Sequence, residues 1–249
     1  MRLIYAMLLG FILDLIFGDP HGLIHPVQII GWFIDKLKKG MQHMIYGCSY
    51  EEGREKEIER KAGVEKTAGF FLMLFIVAGT FAVVYGILYV ANLIHPVLRF
   101  CLETFFIYQI LATKSLKTES MKVYKKLKEG DLIGARKEVS YLVGRDTENL
   151  DESEVAKADV ETIAENTADG VIAPMLFIPI GGAPLGFAYK AVNTLDSMVA
   201  YKNEELINIG FFSAKMDDIC NFIPARFAAV MLMIASLILR FDFKGAVKI

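Results

Sequence analysis

The sequence has 249 residues, of which 54% are hydrophobic, and its mean hydropathy is +0.41. Soluble domains usually carry less apolar composition, so a membrane protein is predicted. The formal net charge is −2, from 27 Lys and Arg against 29 Asp and Glu, so no overall basic field argues for nucleic-acid binding. The three cysteines, Cys48, Cys101 and Cys220, lack C-x-x-C spacing and indicate neither a zinc site nor a disulfide framework.

Four apolar windows predict membrane-spanning helices, each of which needs about 20 mostly apolar residues. They cover residues 3–17, 68–94, 97–112 and 223–239. The first lacks a small-x-small cleavage site and contains Asp14, so we interpret it as a retained span rather than a signal peptide. In the third, Arg99 and Glu103 would each cost about 2.5–3.5 kcal/mol at a helix centre. Their i,i+4 spacing predicts an ion pair.

The sides of the membrane are predicted from the turn at His95–Pro96. Because Pro96 prevents one continuous helix, the second and third windows form a helical hairpin. This hairpin puts the polar segments 19–66 and 113–169 on one side of the membrane. Both are rich in Lys and Arg, so the positive-inside rule predicts that this side is the cytoplasm and that both termini lie outside it.

A fifth apolar stretch, residues 170–189, contains too many Pro and Gly residues for a simple span. It predicts a broken, re-entrant hairpin whose two ends return to the cytoplasmic side. The cytoplasmic segment 113–169 predicts short amphipathic helices over 113–127 and 132–143. Asp151 and Glu154 predict a capping box that starts a third helix. The predicted fold is therefore an all-α, polytopic membrane protein forming a single membrane-embedded helical domain.

Three acids at the end of this third helix indicate a cation site. Glu161, Glu165 and Asp169 follow one another at i, i+4 and i+8, and such like-charged pairs each destabilise a helix by a few tenths of a kcal/mol. Asn166 adds a further oxygen, and oxygen ligands with one or two carboxylates suit magnesium. The alternative is a solvated face on which Lys157 pairs with Glu161. The Asp-Gly pair that follows could equally be a helix stop.

Other polar residues collect around the apolar segments. Lys190, Asn193 and Asp196 lie on a predicted helix that could alternatively be a polar surface helix. Asp217 and Asp218 precede the last span, and Arg226 lies just inside it, where it could instead snorkel to the interface.

Two turns carry further candidates. His25 follows the first span, and Arg145 and Asp146 precede the helix that starts at Asp151. A lone histidine or a turn aspartate is structural more often than catalytic. Neither a P-loop nor a dinucleotide-binding glycine fingerprint occurs in the sequence.

Several segments together resemble the adenosylcobinamide-phosphate synthase family of cobalamin biosynthesis. They are, in order, "GDPHGLIHPVQIIGWFI", Ala135–Arg136, "LVGRDTENLDESEVAKADVETIAENTADGVIAP", "YKAVNTLDSMVAYKN" and "AKMDDICNFIPARF". The resemblance runs from Leu13 to about Ala235. Members of the family usually continue past the last of these segments into a glycine-containing loop and a further apolar helix, whereas this sequence ends at "FDFKGAVKI".

The resemblance implies an integral membrane, ATP-dependent amide ligase. It would join adenosylcobyric acid, through its free propionate, to (R)-1-amino-2-propanol or its O-phosphate. Besides the lipid bilayer and these substrates, other late cobalamin-pathway enzymes are implied as partners.

Roles can then be assigned to the candidate residues. The predicted magnesium ligands are Glu165, Asn166, Asp169, Asp217 and Asp218. The predicted contacts to ATP and phosphate are Arg145, Lys190, Asn193, Lys202 and Arg226. Asp146 or His25 is predicted to deprotonate the incoming amine, and Asp196 is a third predicted catalytic residue. We expect Glu165, Asp169, Lys190, Asp196 and Asp217 to converge on one cytoplasm-facing cavity.

A small membrane transporter is the rival interpretation. It would use the broken stretch 170–189 as a binding site at the membrane midplane. Such a site calls for ionisable groups at mid-depth, and Val171–Ala188 contains none. A membrane-anchored scaffold without chemistry is disfavoured, because scaffolds need few buried acids.

Overall fold

A computed structural model describes residues 1–19, 25–48, 60–144, 146–200, 206–241 and 243. Within these residues the regular elements are helical, which confirms the predicted all-α class. In chain order they are α1 (Arg2–Phe17), α2 (Pro26–Tyr46), α3 (Ala62–Ile94), α4 (Pro96–Ile110), α5 (Thr113–Lys128), α6 (Leu132–Ser140), α7 (Glu152–Thr167), a π-helical turn (Ala168–Ile172), α8 (Ala173–Val199) and α9 (Phe211–Ile238).

Three stretches of the described chain are helical, long and apolar enough to cross a membrane. By length and composition they are Ala62–Ile94, Glu152–Val199 and Phe211–Ile238, and the second of these is broken at Gly181 and Gly182. The predicted spans 3–17 and 97–112 correspond to α1 and α4, which have 16 and 15 residues. At 1.5 Å per residue these two helices are roughly 24 and 22 Å long, shorter than the hydrocarbon core of about 30 Å.

The short helices α1 and α4 pack closely along each other. A Cβ atom at Gly10 would lie 2.8 Å from the Ile107 side chain. At the end of α1, the Asp14 carboxylate accepts a hydrogen bond of 2.9 Å from the backbone N–H of Thr113. Asp14, an acid inside an apolar run, therefore caps the first turn of α5 from 99 positions away.

The predicted turn between α3 and α4 is confirmed. Pro96 is the first residue of α4, and the His95 imidazole accepts a hydrogen bond of 3.2 Å from the Val97 N–H. The predicted pair also forms, with 3.9 Å between Arg99 Nε and Glu103 Oε2. This end of the bundle is called the turn end below.

The broken hairpin is also observed. α8 is interrupted at Gly181 and Gly182, where the backbone is not helical. The arms on either side run back along each other, because the rings of Phe177 and Tyr189 stack with centroids 5.0 Å apart. The hairpin therefore ends on the side where it began.

The Asp169–Gly170 pair is not a helix stop, which corrects one of the alternatives considered above. The chain continues through the π-helical turn, where the Ala173 N–H bonds to the Ala168 carbonyl five residues earlier. This wider turn carries Asp169 between α7 and α8. π-helical turns within helices are frequent at functional sites.

Two groups of buried apolar side chains support this arrangement. The larger group surrounds α8 and includes Ile178, Phe187 and Leu195. The smaller group joins α5, α6 and α7 through Val123, Ala135, Val139, Val155 and Ala158. The predicted capping box at Asp151 and Glu154 is confirmed at the start of α7. α7 is thus capped at its N-terminus and continues at its C-terminus into the π-helical turn that precedes the hairpin.

Candidate functional site

Five side chains from three elements form a hydrogen-bonded group that we call the acid cluster: Asp169, Tyr189, Asn193, Asp217 and Asn221. The Asn193 amide donates to Asp169 over 3.0 Å. The Tyr189 hydroxyl donates to Asn221 Oδ1 over 2.8 Å and lies 3.5 Å from Asp169 Oδ1. The Asn221 amide donates to Asp217 Oδ2 over 2.9 Å. Neutral side chains therefore connect two carboxylates that are distant in sequence.

Local helical spacing and the hairpin together assemble this cluster. Tyr189 and Asn193 are one helical turn apart on the second arm of α8, and Asp217 and Asn221 are one turn apart on α9. Because the hairpin doubles back, its second arm passes beside the π-helical turn that carries Asp169. The acid cluster thus lies where three elements meet.

Other charged groups surround the cluster. Lys190 interacts electrostatically with Asp169 and with Asp19. Asp196 interacts with Glu165, and also with Asp217 on α9. Electrostatic interactions therefore link the five residues expected to converge, whereas the cytoplasm-facing cavity predicted for them stays a prediction. Negative charge predominates here, with Lys190 on the α8 arm that also carries Tyr189.

His25 lies beside this region and caps α2. Its Nδ1 accepts a hydrogen bond of 3.2 Å from the Val27 N–H, and its Nε2 lies 3.6 Å from Asp19 Oδ1. Asp19 also accepts from the Ser115 hydroxyl over 2.7 Å. Burial lowers the pKa of His25 below its usual range, and the charge of Lys190 adds to that effect while Asp19 opposes it. A neutral imidazole is therefore favoured at neutral pH.

Several predicted site residues make contacts outside the cluster. Asn166 donates to a backbone carbonyl one turn earlier in its own helix. Asp218 has a side chain 70% exposed and pairs with Lys215 over 3.2 Å. Glu161 pairs with Lys157 over 3.7 Å, which is the solvated-face alternative for that acid.

Two more candidates are held by neighbours in their own segments. The Arg226 guanidinium lies 3.7 Å from the Phe222 ring centroid and donates to the Phe222 carbonyl. Asp146 accepts from the Glu148 N–H within the loop between α6 and α7. Arg145 and Lys202 lie outside the described residues. The roles assigned to these four residues stay predictions.

Sequence reasoning assigned no role to Tyr189 or Asn221, although both join the two acids of the cluster. The i,i+4 spacing of Asn221 after Asp217 is a usable local signal. Tyr189 has no such signal, because its hydroxyl partners come from other elements.

Two acids of the cluster are candidate magnesium ligands. Asp217 Oδ1 is buried and has no hydrogen-bond partner among the described residues. Within this same part of the chain, no three His, Cys, Asp or Glu side chains are grouped closely enough to hold a metal ion by themselves. Magnesium is commonly held by one or two carboxylates, with water and substrate phosphates as its other ligands. Asp169 and Asp217 could supply these carboxylates.

Comparison with known proteins identifies the family. The family model described as "CobD/Cbib protein" matches residues 7–248. The chain belongs to this family. It is 49% identical over 243 residues to a protein of Clostridium perfringens named "Cobalamin biosynthesis protein CobD", covering 98% of this chain and 72% of the relative. A protein of the same name from Streptococcus sanguinis is 44% identical over 244 residues, covering 98% of this chain and 72% of that relative.

A third relative of that name, from Geobacter metallireducens, is 42% identical over 244 residues, covering 98% of this chain and 71% of the relative. No solved structure matches the chain. These matches confirm the resemblance to the adenosylcobinamide-phosphate synthase family.

Proposed function

We propose that this protein acts in cobalamin biosynthesis as an ATP-dependent amide ligase. It joins adenosylcobyric acid to (R)-1-amino-2-propanol or its O-phosphate, giving adenosylcobinamide or its phosphate. Family membership supports the pathway. The observation that carries the chemistry is the acid cluster, in which Asp169 and Asp217 are connected through Tyr189 and Asn221, with Lys190 in electrostatic range of Asp169.

The reaction requires an activated carboxylate, since a carboxylate and an ammonium group do not condense at neutral pH. A propionate oxygen of the corrinoid attacks the γ-phosphorus of ATP, and ADP leaves, so that an acyl phosphate forms. The amine nitrogen then attacks the acyl carbon, inorganic phosphate leaves, and the nitrogen loses one proton. Both steps depend on positioning and on stabilisation of phosphate charge.

Residues in and beside the acid cluster suit these needs. Asp169 and Asp217 would hold a magnesium ion, which when bound would offset negative charge on the phosphate oxygens. Lys190 contacts phosphate as a point charge. Asp196, half-buried beside Glu165 and Asp217, is the proton acceptor we favour, because both ring nitrogens of His25 face other partners.

Reconstitution tests the proposal. Purified protein is incubated with adenosylcobyric acid, aminopropanol phosphate, ATP and magnesium, and the corrinoid is analysed by mass spectrometry. We expect the mass of the amide product, formed only when both ATP and magnesium are present. Unchanged corrinoid with folded protein would contradict the proposal. Aminopropanol without phosphate, in a parallel reaction, identifies the preferred amine.

We also propose that the acid cluster faces the cytoplasm, where ATP is available. The Lys and Arg content of segments 19–66 and 113–169 supports this orientation. A cysteine placed at position 146 should resist a membrane-impermeant thiol reagent in intact cells. Labelling of that cysteine from outside the cell would refute the orientation.

A further inference from the structure

A cavity lined by both polar and apolar side chains lies at the turn end, away from the acid cluster. Its volume is about 450 Å³, and its walls are α1, α3, α4 and the tip of the broken hairpin. Its polar lining residues are Arg2, Tyr85, Tyr89, Asn92, Arg99 and Glu103. The proposed ligase chemistry uses none of these side chains.

The charges of this cavity favour an anion. Arg2 and Arg99 supply two guanidinium groups, and Glu103 supplies one carboxylate. The Arg99–Glu103 distance of 3.9 Å is longer than a direct hydrogen bond, and the side chains of Arg99 and Glu103 are 46% and 11% exposed. Positive charge is therefore in excess, and it is the more accessible charge. A planar guanidinium can make two parallel hydrogen bonds to phosphate oxygens.

The hairpin tip forms one wall of this cavity and packs against the Glu103 carboxylate. Gly182 has a φ of +68°, and a Cβ atom there would come within 2.7 Å of Glu103 Oε1. Only a glycine allows this close approach in this backbone conformation. Glu103 is thus packed against the tip, whereas the guanidinium of Arg99 remains accessible to a ligand.

Aromatic residues indicate the level of the cavity in the membrane. The rings of Phe81, Tyr85 and Tyr89 stack along α3, with centroids 6.0 and 6.3 Å apart. Tyr85 and Tyr89 are exposed and line the cavity near the end of this candidate span. Tyrosine is enriched where a bilayer meets water, which is the level of the lipid headgroups.

We propose that this cavity binds a phosphate group, supplied by the headgroup of an anionic phospholipid, with Arg99 and Arg2 as its main contacts. The site lies at the opposite end of the hairpin from the acid cluster. It does not depend on the ligase proposal.

Thermal unfolding of the purified protein in detergent tests this site, with phosphatidylglycerol, phosphatidylcholine or inorganic phosphate added. A ligand that binds the folded state raises the melting temperature. We expect phosphatidylglycerol to stabilise the wild type more than phosphatidylcholine does. Arg99→Gln and Arg2→Gln should each weaken the apparent affinity for phosphatidylglycerol about ten- to a hundredfold, because each removes charge-assisted hydrogen bonds.

Arg240→Gln is the matched control. Arg240 is an exposed arginine that follows the C-terminus of α9, and it does not line the cavity. It should keep the wild-type response. Arg2→Gln also leaves the Arg99–Glu103 pair intact, so it remains informative if Arg99→Gln fails to fold.

Comparison of the three added ligands distinguishes a lipid headgroup from free phosphate as the source of the bound phosphate. If inorganic phosphate reproduces the stabilisation and both cavity variants lose it, the site is supported and its ligand is free phosphate. Equal responses to the two lipids without any response to phosphate would overturn the proposal. So would equal responses of the cavity variants and Arg240→Gln.

Discussion

Acids in two parts of the molecule have different kinds of partner. Asp131, which caps the start of α6, and Glu65 at the start of α3 are paired with cations. Asp169 and Asp217 in the acid cluster are hydrogen-bonded to amides and lie near a phenol, all of them neutral. The first kind of contact compensates the negative charge inside the fold. Among the described residues, the second kind has no hydrogen bond from a cation, and the one nearby lysine, Lys190, faces several acids, so net negative charge remains for a ligand.

Burial alone does not distinguish the two kinds. Glu65 is almost fully buried, yet its carboxylate accepts from the Tyr46 hydroxyl over 2.7 Å, from Arg60 over 2.6 Å and from Asn208 over 2.7 Å. Such a carboxylate is a structural link between α2, α3 and the turn before α9. The chemistry of the partner is the better guide to function.

The largest effect is expected for Asp169→Asn and Asp217→Asn. Each keeps the shape and one acceptor oxygen but removes the charge that would hold magnesium, so amide formation should be abolished. Stability without metal should change little, and it should rise by a few tenths of a kcal/mol where repulsion between Glu165 and Asp169 is relieved. A magnesium titration of ligase activity and a metal-free melting curve measure both effects.

Glu152→Gln is the matched control, because it makes the same kind of change at an exposed position in the first turn of α7. It should retain activity. Wild-type turnover in both aspartate variants at every magnesium concentration would show that these acids do not bind the catalytic metal.

Glu65→Ala should have the largest effect on stability. Removal of one partner from a buried ion pair costs about 3–5 kcal/mol. In this variant Arg60, Tyr46 and Asn208 would all lose the carboxylate that accepts their hydrogen bonds. Denaturant unfolding in detergent measures this loss. A loss below about 1 kcal/mol, the range of surface ion pairs, would show that Glu65 is not the structural link described here.

Tyr189→Phe tests the bridge between the cluster acids. It removes the hydroxyl that binds Asn221 but keeps the ring stacked on Phe177, so stability should fall by about 1–3 kcal/mol. Ligase turnover should also fall, because Asp169 and Asp217 lose their shared positioning. Tyr46→Phe is the control, since its hydroxyl binds a carboxylate elsewhere. Equal relative activity of the two variants would show that Tyr189 has no specific role in the proposed active site.

The smallest effect concerns pH. Lys126 and the Gly134 N–H hold the pKa of Asp131 below its usual range. A lowered folded-state pKa contributes stability above the unfolded value, and this stability is lost as the pH falls through the folded value. The melting-temperature difference between the wild type and Asp131→Asn should therefore shrink below about pH 4. A difference that is constant from pH 7 to pH 3 would contradict this origin.

Features that depend on neighbours in sequence could be predicted from the sequence. The break at Pro96, the capping box at Asp151 and the Arg99–Glu103 pair follow from proline geometry, capping rules and i,i+4 spacing. The broken hairpin was predicted from its density of Gly and Pro, and it explains why acids on separate elements could be expected to meet.

Features that depend on contacts between distant segments could not be predicted. Asp14 was noted as an acid in an apolar run, but its use as the cap of α5 depends on α1 packing against α4. The π-helical turn at Asp169 has no reliable local signature. The bridging position of Tyr189 exists only after α8 and α9 have packed together.

Direct metal binding tests the central claim, that the cluster acids hold a divalent ion. Manganese can replace magnesium as a spectroscopic probe, and free and bound manganese are distinguished by electron paramagnetic resonance in the presence of a non-hydrolysable ATP analogue. We predict that the wild type and Glu152→Gln bind manganese, whereas Asp217→Asn and Asp169→Asn lose most of this binding. Equal manganese binding by all four proteins would contradict the claim.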